Sequence, residues 1–342
     1  MSADVDVLIV GAGHGGLGVA GRLLARGREP LIVEADARVG DTWRRRWASL
    51  RLFTPRFVNG LPGMRFPDGD DPFPNKDEVA DYEQRYAEAL RIPIQLGARV
   101  RRLRRTPDGF AADLDGSVIN ARNVVIATGA HRTPKIPAFA ARLDPAVLQL
   151  HSSEYGRAGA LPPGPVLVVG GRNSGAEIAM DLASTHEVTL TFDDRTRYAP
   201  ARWRSTGWWR VAQFRSWALR GAIVPGPFPW PIKPPAGKWV EVDVRHAERE
   251  GRLRLVPRAV DATPGRVRFM DGRTERFPIV VWATGFRIDD SWIDVPSGNN
   301  GINVGRHRRG PVPGLWFVRA NLLATLHFGA LDAAADIARF RR

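Results

Sequence analysis

The fold class of this chain follows from twelve residues near the N-terminus, Val5-Asp6-Val7-Leu8-Ile9-Val10-Gly11-Ala12-Gly13-His14-Gly15-Gly16. Residues 5–10 are a nearly continuous apolar run, which predicts a buried parallel strand. Residues 11–16 form a complete G-x-G-x-x-G motif, and an amphipathic helical pattern follows them. A second apolar segment, residues 31–33, ends in Glu34. A strand, glycine turn, helix, strand and acidic residue in this order are typical of a dinucleotide-binding unit.

Each glycine of the motif has a physical role in such a unit. Gly11 makes the tight turn, Gly13 lets the backbone approach a pyrophosphate, and Gly16 lets the helix pack closely. Free N–H groups at the helix N-terminus face the phosphate charge. Glu34 accepts hydrogen bonds from a ribose diol. We therefore predict a first dinucleotide site formed by Gly11, Gly13, His14, Gly15, Gly16 and Glu34.

The same unit recurs in the middle of the chain. Residues 165–169 are apolar and lead into Gly170-Gly171-Arg172-Asn173-Ser174-Gly175, and a strand pattern over 188–192 ends at Asp193. The separation from Gly170 to Asp193, 23 positions, equals that from Gly11 to Glu34. The repeat predicts two dinucleotide sites, or one site and a relic. The second site would use Gly170, Arg172, Asn173, Ser174, Gly175, Asp193 and Arg195.

Two further apolar strands share the same ending. Residues 124–126 run into Ala127-Thr128-Gly129, and residues 280–282 run into Ala283-Thr284-Gly285. Small residues at the end of a buried strand let the backbone come close to a ligand. One such turn stands downstream of each glycine motif, so we expect both turns to lie beside a dinucleotide.

Length and composition exclude several classes of protein. A chain of 342 residues suits two domains, and 44% hydrophobic with 25% charged residues is globular. No run of eighteen apolar residues is present, and residues 5–10 are too short for a signal-peptide core, so we expect a cytoplasmic protein without a membrane span. The lack of cysteine excludes disulfides and thiol nucleophiles. The seven histidines show no metal-ligand spacing, so we expect no metal site.

The chain is strongly basic, with 50 Lys and Arg against 36 Asp and Glu and a formal net charge of +14. A basic surface is one requirement for nucleic-acid binding. The arginines are scattered, however, and no known nucleic-acid motif accompanies them, so we expect no nucleic-acid partner. The segment 198–240 combines tryptophan, arginine and proline. It predicts an aromatic substrate pocket or lid, a peripheral contact with a membrane or partner, or a packed subdomain.

Several motifs resemble those of the flavin-containing monooxygenase family, in its short bacterial and YUCCA-type branch. They are the first glycine turn with Glu34, Gly40-Asp41-Thr42-Trp43, residues 47–55 (Trp-Ala-Ser-Leu-Arg-Leu-Phe-Thr-Pro), His151-Ser152-Ser153-Glu154-Tyr155, the second glycine turn and Trp282-Ala283-Thr284-Gly285-Phe286. The similarity spans nearly the whole chain. It implies an α/β fold of two Rossmann-like, three-layer dinucleotide-binding domains, the second inserted into the first. Residues 1–158 and 278–342 would bind FAD, and residues 159–277 would bind NAD(P)H.

The resemblance also implies chemistry and further site residues. In that family NAD(P)H reduces FAD, O₂ adds at flavin C4a, and the hydroperoxide delivers one oxygen atom to a small organic substrate, while the protein mainly positions the reactants. Thr42, Trp43, Val100, Ala127, Thr128 and Gly129 match positions near FAD, with Val100 at the start of a strand. His151 and Thr54 are candidate catalytic residues, and a C-terminal helix over residues 330–340 would point at the flavin.

The chain departs from the family pattern in ways that leave alternatives open. Arg172 replaces the middle glycine of the second turn, where it either binds a 2′-phosphate or obstructs the nicotinamide cofactor. Asp193 favours NADH, whereas Arg195 and family habit favour NADPH. One alternative function is therefore a flavin dehydrogenase, oxidase or quinone-type reductase on the same scaffold. Another is a non-catalytic protein that holds FAD. The substrate and the oligomeric state stay open.

Overall fold

The structure is a computed structural model that describes residues 3–193, 196–198, 238–240, 242, 244–296, 310–318 and 337. The chain forms two compact units. The first comprises Met1–Arg44, Thr54–Thr133 and Arg287–Arg342, and the second comprises Arg45–Phe53 and Pro134–Phe286. The segments 134–158 and 278–286 thus pack within the second unit, whereas the sequence assigns them to the FAD-binding domain. Packing does not test ligand binding, so the functional boundaries stay a prediction.

The helices and strands alternate as a dinucleotide-binding chain requires. Within the described residues the helices are α1 (His14–Leu24), α2 (Asp41–Arg44), α3 (Lys76–Ala89), α4 (Asn173–Leu182) and α5 (Val244–Arg249), with 3-10 helices at Arg56–Val58, Ala138–Arg142 and Ala158–Ala160. The strands are β1 (Ala3–Val10), β2 (Pro30–Val33), β3 (Ile94–Gln95), β4 (Arg102–Thr106), β5 (Gly109–Leu114), β6 (Ser117–Ile126), β7 (Thr133–Pro134), β8 (Leu148–His151), β9 (Val166–Val169), β10 (Val188–Phe192), β11 (Thr196–Tyr198), β12 (Lys238–Val240), β13 (Arg254–Pro257), β14 (Ala259–Thr263), β15 (Arg266–Phe269), β16 (Thr274–Glu275), β17 (Ile279–Trp282), β18 (Phe286–Arg287), β19 (Ile293–Asp294) and β20 (Leu315–Phe317).

The first unit is built on an eight-stranded sheet. Its strand order is β19-β4-β5-β6-β1-β2-β3, and β20 also pairs with β6. Strand β1 is central and pairs in parallel with β2 and β6, and its residues Val7–Val10 are all buried, as in a strand covered on both faces. The carboxyl ends of these three strands meet at one edge of the sheet. Gly11, Glu34 and Ala127 follow directly after that edge.

The second unit repeats this arrangement with a five-stranded sheet of order β13-β10-β9-β17-β8. All of its strand pairs are parallel, and every residue of β9 and β17 is buried. A smaller three-stranded antiparallel sheet, β14-β15-β16, packs its apolar face into the same core. The expected α/β fold with two Rossmann-like units is therefore confirmed, although the sheet of the first unit is mixed, because β5 pairs in antiparallel with β4 and β6.

One local prediction is wrong, and others lie outside the described residues. Val100 stands in the loop between β3 and β4, because strand pairing starts only at Arg102, whereas the sequence places it at a strand start. Arg195, the segment 198–240 apart from its strand residues, and the predicted C-terminal helix apart from Ile337 are not among the residues described. Within the described part of the chain, no helix combines the length and the apolar character that crossing a bilayer requires.

Candidate dinucleotide-binding sites

The first glycine turn is closed by the protein's own backbone. Gly11 has φ +109°, and a Cβ atom there would lie 2.6 Å from the carbonyl oxygen of Ala127. A Cβ atom at Gly16 would lie 2.0 Å from the carbonyl oxygen of Gly11. No side chain fits at either position, because both distances are far below van der Waals contact. The Ala127-Thr128-Gly129 turn is thus the wall against which the glycine turn packs, which explains why the two motifs occur together.

Gly13 differs from its two neighbours in the motif. Its φ is −78° and its ψ −178°, an ordinary extended conformation, and a Cβ atom there would meet nothing within 4 Å. Packing of the protein alone therefore does not require glycine at this position. The open space lies at the N-terminus of α1, where unpaired N–H groups attract anions. These features fit the diphosphate of a bound dinucleotide.

The Glu34 carboxylate is fixed at the carboxyl end of β2. Its Oε2 accepts a hydrogen bond of 2.7 Å from the Ala12 N–H, and its Oε1 accepts one of 2.9 Å from the Asp36 N–H. Because each carboxylate oxygen has two acceptor positions, a ribose diol can still bind to the same group. The structure thus orients Glu34 as a ribose acceptor requires.

A cavity of about 320 Å³ lies beside Glu34 within the first unit. Small-molecule sites usually start at about 300 Å³. Its walls include five residues that the sequence predicts for FAD, namely Gly11, Glu34, Val100, Thr128 and Gly129. They also include residues that sequence reasoning missed, among them Arg99, Arg132, Arg287, Asp289 and Trp292. Residues from 99 to 292 meet here only through the fold, so no local motif could have revealed them.

Three other predicted residues lie next to carboxylates instead of lining the cavity, two of them at the buried Glu83 and one at Asp36. Trp43 Nε1 donates a hydrogen bond of 3.1 Å to Glu83 Oε1, and His14 Nδ1 lies 3.5 Å from the same oxygen. Thr42 Oγ1 donates one of 3.3 Å to Asp36 Oδ2. Glu83 was not predicted, although its place in the apolar stripe of α3 with Val79, Tyr82 and Tyr86 is a signal for it.

The second glycine turn repeats the first almost atom for atom. Gly170 has φ +114°, and a Cβ atom there would lie 2.5 Å from the carbonyl oxygen of Ala283. A Cβ atom at Gly175 would lie 1.7 Å from the carbonyl oxygen of Gly170. The Gly170 N–H donates a hydrogen bond of 2.9 Å to Thr191 Oγ1 of β10. The Ala283-Thr284-Gly285 turn therefore has the same wall function here as its counterpart in the first unit.

Arg172 occupies the position equivalent to Gly13 without backbone strain. It precedes α4 with φ −87° and ψ −177°, within ten degrees of the angles at Gly13. Its side chain is exposed, so the guanidinium points away from the core of the second unit. Asn173 and Ser174, both half-buried, form the first turn of α4, and Asp193 follows β10. The second unit therefore has a Cβ atom at the position that Gly13 leaves open in the first unit.

His151, a candidate catalytic residue, is fully engaged within the second unit. It is 1% exposed, and its ring packs edge-on against Phe286 at 4.8 Å between centroids. Nε2 lies 3.0 Å from the carbonyl oxygen of Gly285, and Nδ1 lies 2.8 Å from Ser153 Oγ. Because a carbonyl only accepts, the proton is on Nε2. Burial lowers the pKa of His151, so the ring is neutral and holds the Gly285 turn.

Thr54, the other candidate, is also held by protein groups. Its hydroxyl donates a hydrogen bond of 2.7 Å to Asn59 Oδ1, and Asn59 Nδ2 donates one of 3.0 Å to the Thr54 carbonyl oxygen. Both side chains are buried. The pair closes the loop after residue 54. The hydroxyl proton of Thr54 is therefore used in a hydrogen bond within this loop.

Tyr155 connects the His151 segment to α4. It is 1% exposed, and its hydroxyl donates a hydrogen bond of 2.5 Å to Asp181 Oδ2. Burial and the neighbouring carboxylate raise the pKa of Tyr155 well above 10. The phenol therefore stays protonated and acts as a structural link.

Comparisons with known proteins agree with this geometry. Residues 8–204 match the family described as pyridine nucleotide-disulphide oxidoreductase. A protein of Geobacillus kaustophilus described as "Uncharacterized oxidoreductase CzcO-like" is 34% identical over 322 residues, 93% of this chain and 91% of the relative. The indole-3-pyruvate monooxygenase YUCCA1 of Oryza sativa subsp. japonica is 28% identical over 371 residues, 96% of this chain and 90% of that protein. A flavin monooxygenase structure from Stenotrophomonas maltophilia superposes with a TM-score of 0.80 at 25% identity, covering 99% of each chain. The chain belongs to the flavin-containing monooxygenase branch of that oxidoreductase family.

Members of the branch of this flavin-containing monooxygenase use FAD and NADP(H). The two glycine turns share a positive φ at the first glycine and close packing against an Ala-Thr-Gly turn. The disulphide chemistry in the family's name does not extend to this monooxygenase, since it contains no cysteine.

Proposed function

We propose that this chain is an FAD-dependent, NAD(P)H-driven monooxygenase that inserts one oxygen atom of O₂ into a small organic substrate. The observation that carries the proposal is the pair of equivalent glycine turns, each packed against its own Ala-Thr-Gly turn. Two dinucleotide sites in one chain suit hydride transfer from one cofactor to another. Relatives named as monooxygenases over nearly the whole chain support the same activity.

The sites are divided between the two repeats. We assign FAD to residues 1–158 and 278–342 and NAD(P)H to residues 159–277. Gly13 and the α1 N-terminus would hold the FAD diphosphate, and Glu34 would hold its ribose. Bound FAD, once reduced, supplies the chemistry of oxygen activation. The protein residues would position the cofactors. His151, for example, holds the Gly285 turn through a hydrogen bond from Nε2–H to the Gly285 carbonyl oxygen.

NADPH is the reductant we propose, with NADH as a weaker substitute. Arg172 presents an exposed guanidinium at the start of α4, and such a group binds phosphate through its planar fork. Asp193 lies at the end of β10, where a carboxylate accepts a ribose hydroxyl. The arginine adds attraction for the extra phosphate of NADPH. We also propose a cytoplasmic location, because a chain without cysteine has no use for an oxidising compartment.

The decisive experiment follows the oxygen atom. The purified protein, loaded with FAD, is supplied with NADPH and ¹⁸O₂ and a panel of small carbonyl and sulfur compounds, and products are examined by mass spectrometry. A monooxygenase places one ¹⁸O atom in a product and consumes NADPH in proportion. If NADPH is consumed with every panel member and all oxygen is recovered as peroxide or water, the protein is an oxidase or reductase. If FAD binds but neither nicotinamide reduces it, the protein is a binding protein.

A further inference from the structure

A buried carboxylate without a full counter-charge lies next to the predicted diphosphate site of the first unit. Glu83, on α3, is 1% exposed. Its Oε1 accepts the Trp43 indole N–H, a neutral donor, and lies 3.5 Å from His14 Nδ1. Among the described residues no lysine or arginine forms an ion pair with it. Burying a carboxylate in this way is costly unless a positive group or a set of hydrogen bonds compensates the charge.

His14 is the group placed to compensate this charge. It is the first residue of α1, 5% exposed, and its Nδ1 is buried without hydrogen-bond geometry to any described acceptor. The side chain of a first-turn residue leans toward the helix N-terminus, which here is the glycine turn. A buried imidazole whose Nδ1 has no hydrogen-bond partner therefore lies beside the Glu83 carboxylate, on the first residue of the helix that follows Gly13.

Binding FAD brings a second anion to the same helix end. The diphosphate and Glu83 would then share the N-terminus of α1, and two anions so close in a buried site repel each other strongly. One proton removes the conflict when it adds to His14, because an imidazolium donates from both nitrogens. The Nδ1–H then bonds to Glu83 and the Nε2–H faces the diphosphate.

We propose that FAD binding takes up one proton from solvent at His14, which joins Glu83 to the FAD diphosphate as an imidazolium bridge. The step forms an N–H bond on the imidazole. It breaks the O–H or N–H bond that held the proton on the solvent or buffer acid. The inference rests on the proposed function, since it assigns FAD to the first glycine turn. It gives Glu83 a positioning role, through both His14 and Trp43, that packing alone does not explain.

The other charged groups near α1 are already engaged. Glu34, from β2, accepts the Ala12 and Asp36 N–H groups. Arg22, two turns along α1, interacts electrostatically with Tyr86 of α3. Burial raises the pKa of Tyr86 above its ordinary value, and the Arg22 charge partly opposes this shift. Neither group stands within ion-pair distance of the imidazole among the described contacts. The proton therefore belongs to the His14–Glu83 pair.

The test is calorimetric titration of the apo-protein with FAD at pH 8.0, in buffers that differ in ionisation enthalpy. The change of observed binding enthalpy with buffer enthalpy gives the protons taken up. The wild-type protein should take up close to one proton per FAD, and its affinity for FAD should fall as the pH rises.

Three variants separate the bridge from general structure. His14→Gln and Glu83→Gln should bind FAD with proton uptake near zero, and Glu83→Gln keeps an oxygen acceptor for the Trp43 N–H. Glu88→Gln is the matched control, because Glu88 is exposed on the same helix and bonds only to Gln84. It should keep the wild-type uptake. Thermal unfolding of each apo-protein verifies that the variants are folded.

The possible results are distinct. FAD binding with no uptake in the wild-type protein overturns the bridge and leaves the proposed function intact. Uptake that persists in both His14→Gln and Glu83→Gln also overturns it, because the proton then goes elsewhere. Absence of FAD binding to the wild-type protein contradicts the proposed function itself. Uptake that disappears in both variants and remains in Glu88→Gln supports the bridge.

Discussion

Two glycines separated by one residue, Gly11 and Gly13, occupy different physical environments. Gly11 needs a positive φ and has the Ala127 carbonyl oxygen 2.6 Å from where a Cβ atom would be. Gly13 has an ordinary φ and nothing within 4 Å of that place. The protein's own fold requires the first glycine. Packing does not require the second, since nothing lies within 4 Å of a methyl group there, which supports the proposed diphosphate site.

Substitution of these two glycines separates folding from cofactor binding. Gly13→Ala should unfold at the wild-type temperature without FAD, yet bind FAD more weakly by about tenfold or more, or about 1.4 kcal/mol. Gly11→Ala should lose stability by about 1–3 kcal/mol even without cofactor, because strain and overlap act on the fold. Thermal unfolding of apo-protein and fluorescence titration with FAD measure the two effects. Equal FAD affinity for wild type and Gly13→Ala would contradict the placement of the diphosphate.

His151 gives the second unit a pH-dependent stability. Burial lowers its pKa below the ordinary 6.5, so the unfolded chain binds this proton more readily than the native chain. The sign follows directly. The contribution of His151 to the free energy of unfolding is fully present above the unfolded pKa of about 6.5. It is lost as the pH falls through the lower folded value.

Replacement of His151 should remove that part of the pH dependence. For His151→Gln, we expect the free energy of unfolding to vary less between about pH 5 and pH 7 than in the wild type, whatever its absolute value. Urea unfolding at a series of pH values measures the slope. His186→Gln, at a more exposed histidine, is the control and should keep the wild-type slope. An unchanged slope in His151→Gln would show that this ring does not titrate on unfolding.

Helix α3 organises several elements of the first unit. It begins with a capping box, in which Asn75 accepts from the Asp77 and Glu78 N–H groups and Glu78 accepts from the Asn75 N–H. Its buried stripe then carries Tyr82, Glu83 and Tyr86. Tyr82 and Tyr86 bond to the loop over residues 61–64, and Glu83 accepts the Trp43 indole N–H and lies 3.5 Å from His14 Nδ1. One helix face therefore contacts both a loop and the segment that carries Trp43.

The Tyr82 hydroxyl connects this helix to the loop. It accepts a hydrogen bond of 2.5 Å from the Leu61 N–H and donates one of 2.8 Å to the Met64 carbonyl oxygen. Burial raises the pKa of Tyr82 to about 12, so the group stays a donor. Tyr82→Phe keeps the ring contact with Phe66 and leaves the Leu61 N–H unpaired.

We expect Tyr82→Phe to lower the free energy of unfolding by about 1–3 kcal/mol, because a buried donor loses its partner. The Tyr86 hydroxyl donates one hydrogen bond, of 2.8 Å, to the Pro62 carbonyl oxygen, so Tyr86→Phe should cost less, about 0.5–1.5 kcal/mol. Denaturant unfolding compares the two. Equal losses would show that the Leu61 N–H finds water when the hydroxyl is absent.

At the scale of the molecule, we expect that a substitution in one repeat weakens the binding of one cofactor and leaves the other unaffected, because each cofactor is assigned to its own repeat. Arg172→Glu replaces an exposed side chain at α4 of the second unit and reverses its charge. We expect the variant to keep FAD with wild-type affinity while the KM for NADPH rises by about tenfold or more and that for NADH changes less. Steady-state reduction assays with both nicotinamides give the ratio.

Arg266→Glu is the matched control for this charge reversal, because Arg266 is exposed on the β15 hairpin of the same unit. It should retain the wild-type ratio of the two KM values, which shows that net charge alone is not the cause. Loss of FAD from Arg172→Glu would contradict the division of cofactors between the two repeats. An unchanged ratio in that variant would assign the 2′-phosphate to another residue.

Short sequence motifs were enough to predict most of the fold. The first strand, the glycine turns, their helices and the acidic ends all stand where periodicity and spacing predict them, because each is specified by residues close together in sequence. Val100 was placed wrongly for the same reason, since a short apolar-charged alternation does not reveal where hydrogen-bonded pairing begins. The family resemblance extended this prediction to the cofactors.

The amino-acid sequence by itself determined the α/β class, the internal repeat and both glycine turns, because glycine conformation and strand periodicity act over a few neighbouring residues. Only the tertiary structure decided that Ala127 and Ala283 close those turns, that Glu83 stands behind His14 and Trp43, and that His151 is neutral. These facts depend on distances between residues far apart in the chain. Burial and electrostatics act through space, and packing sets those distances.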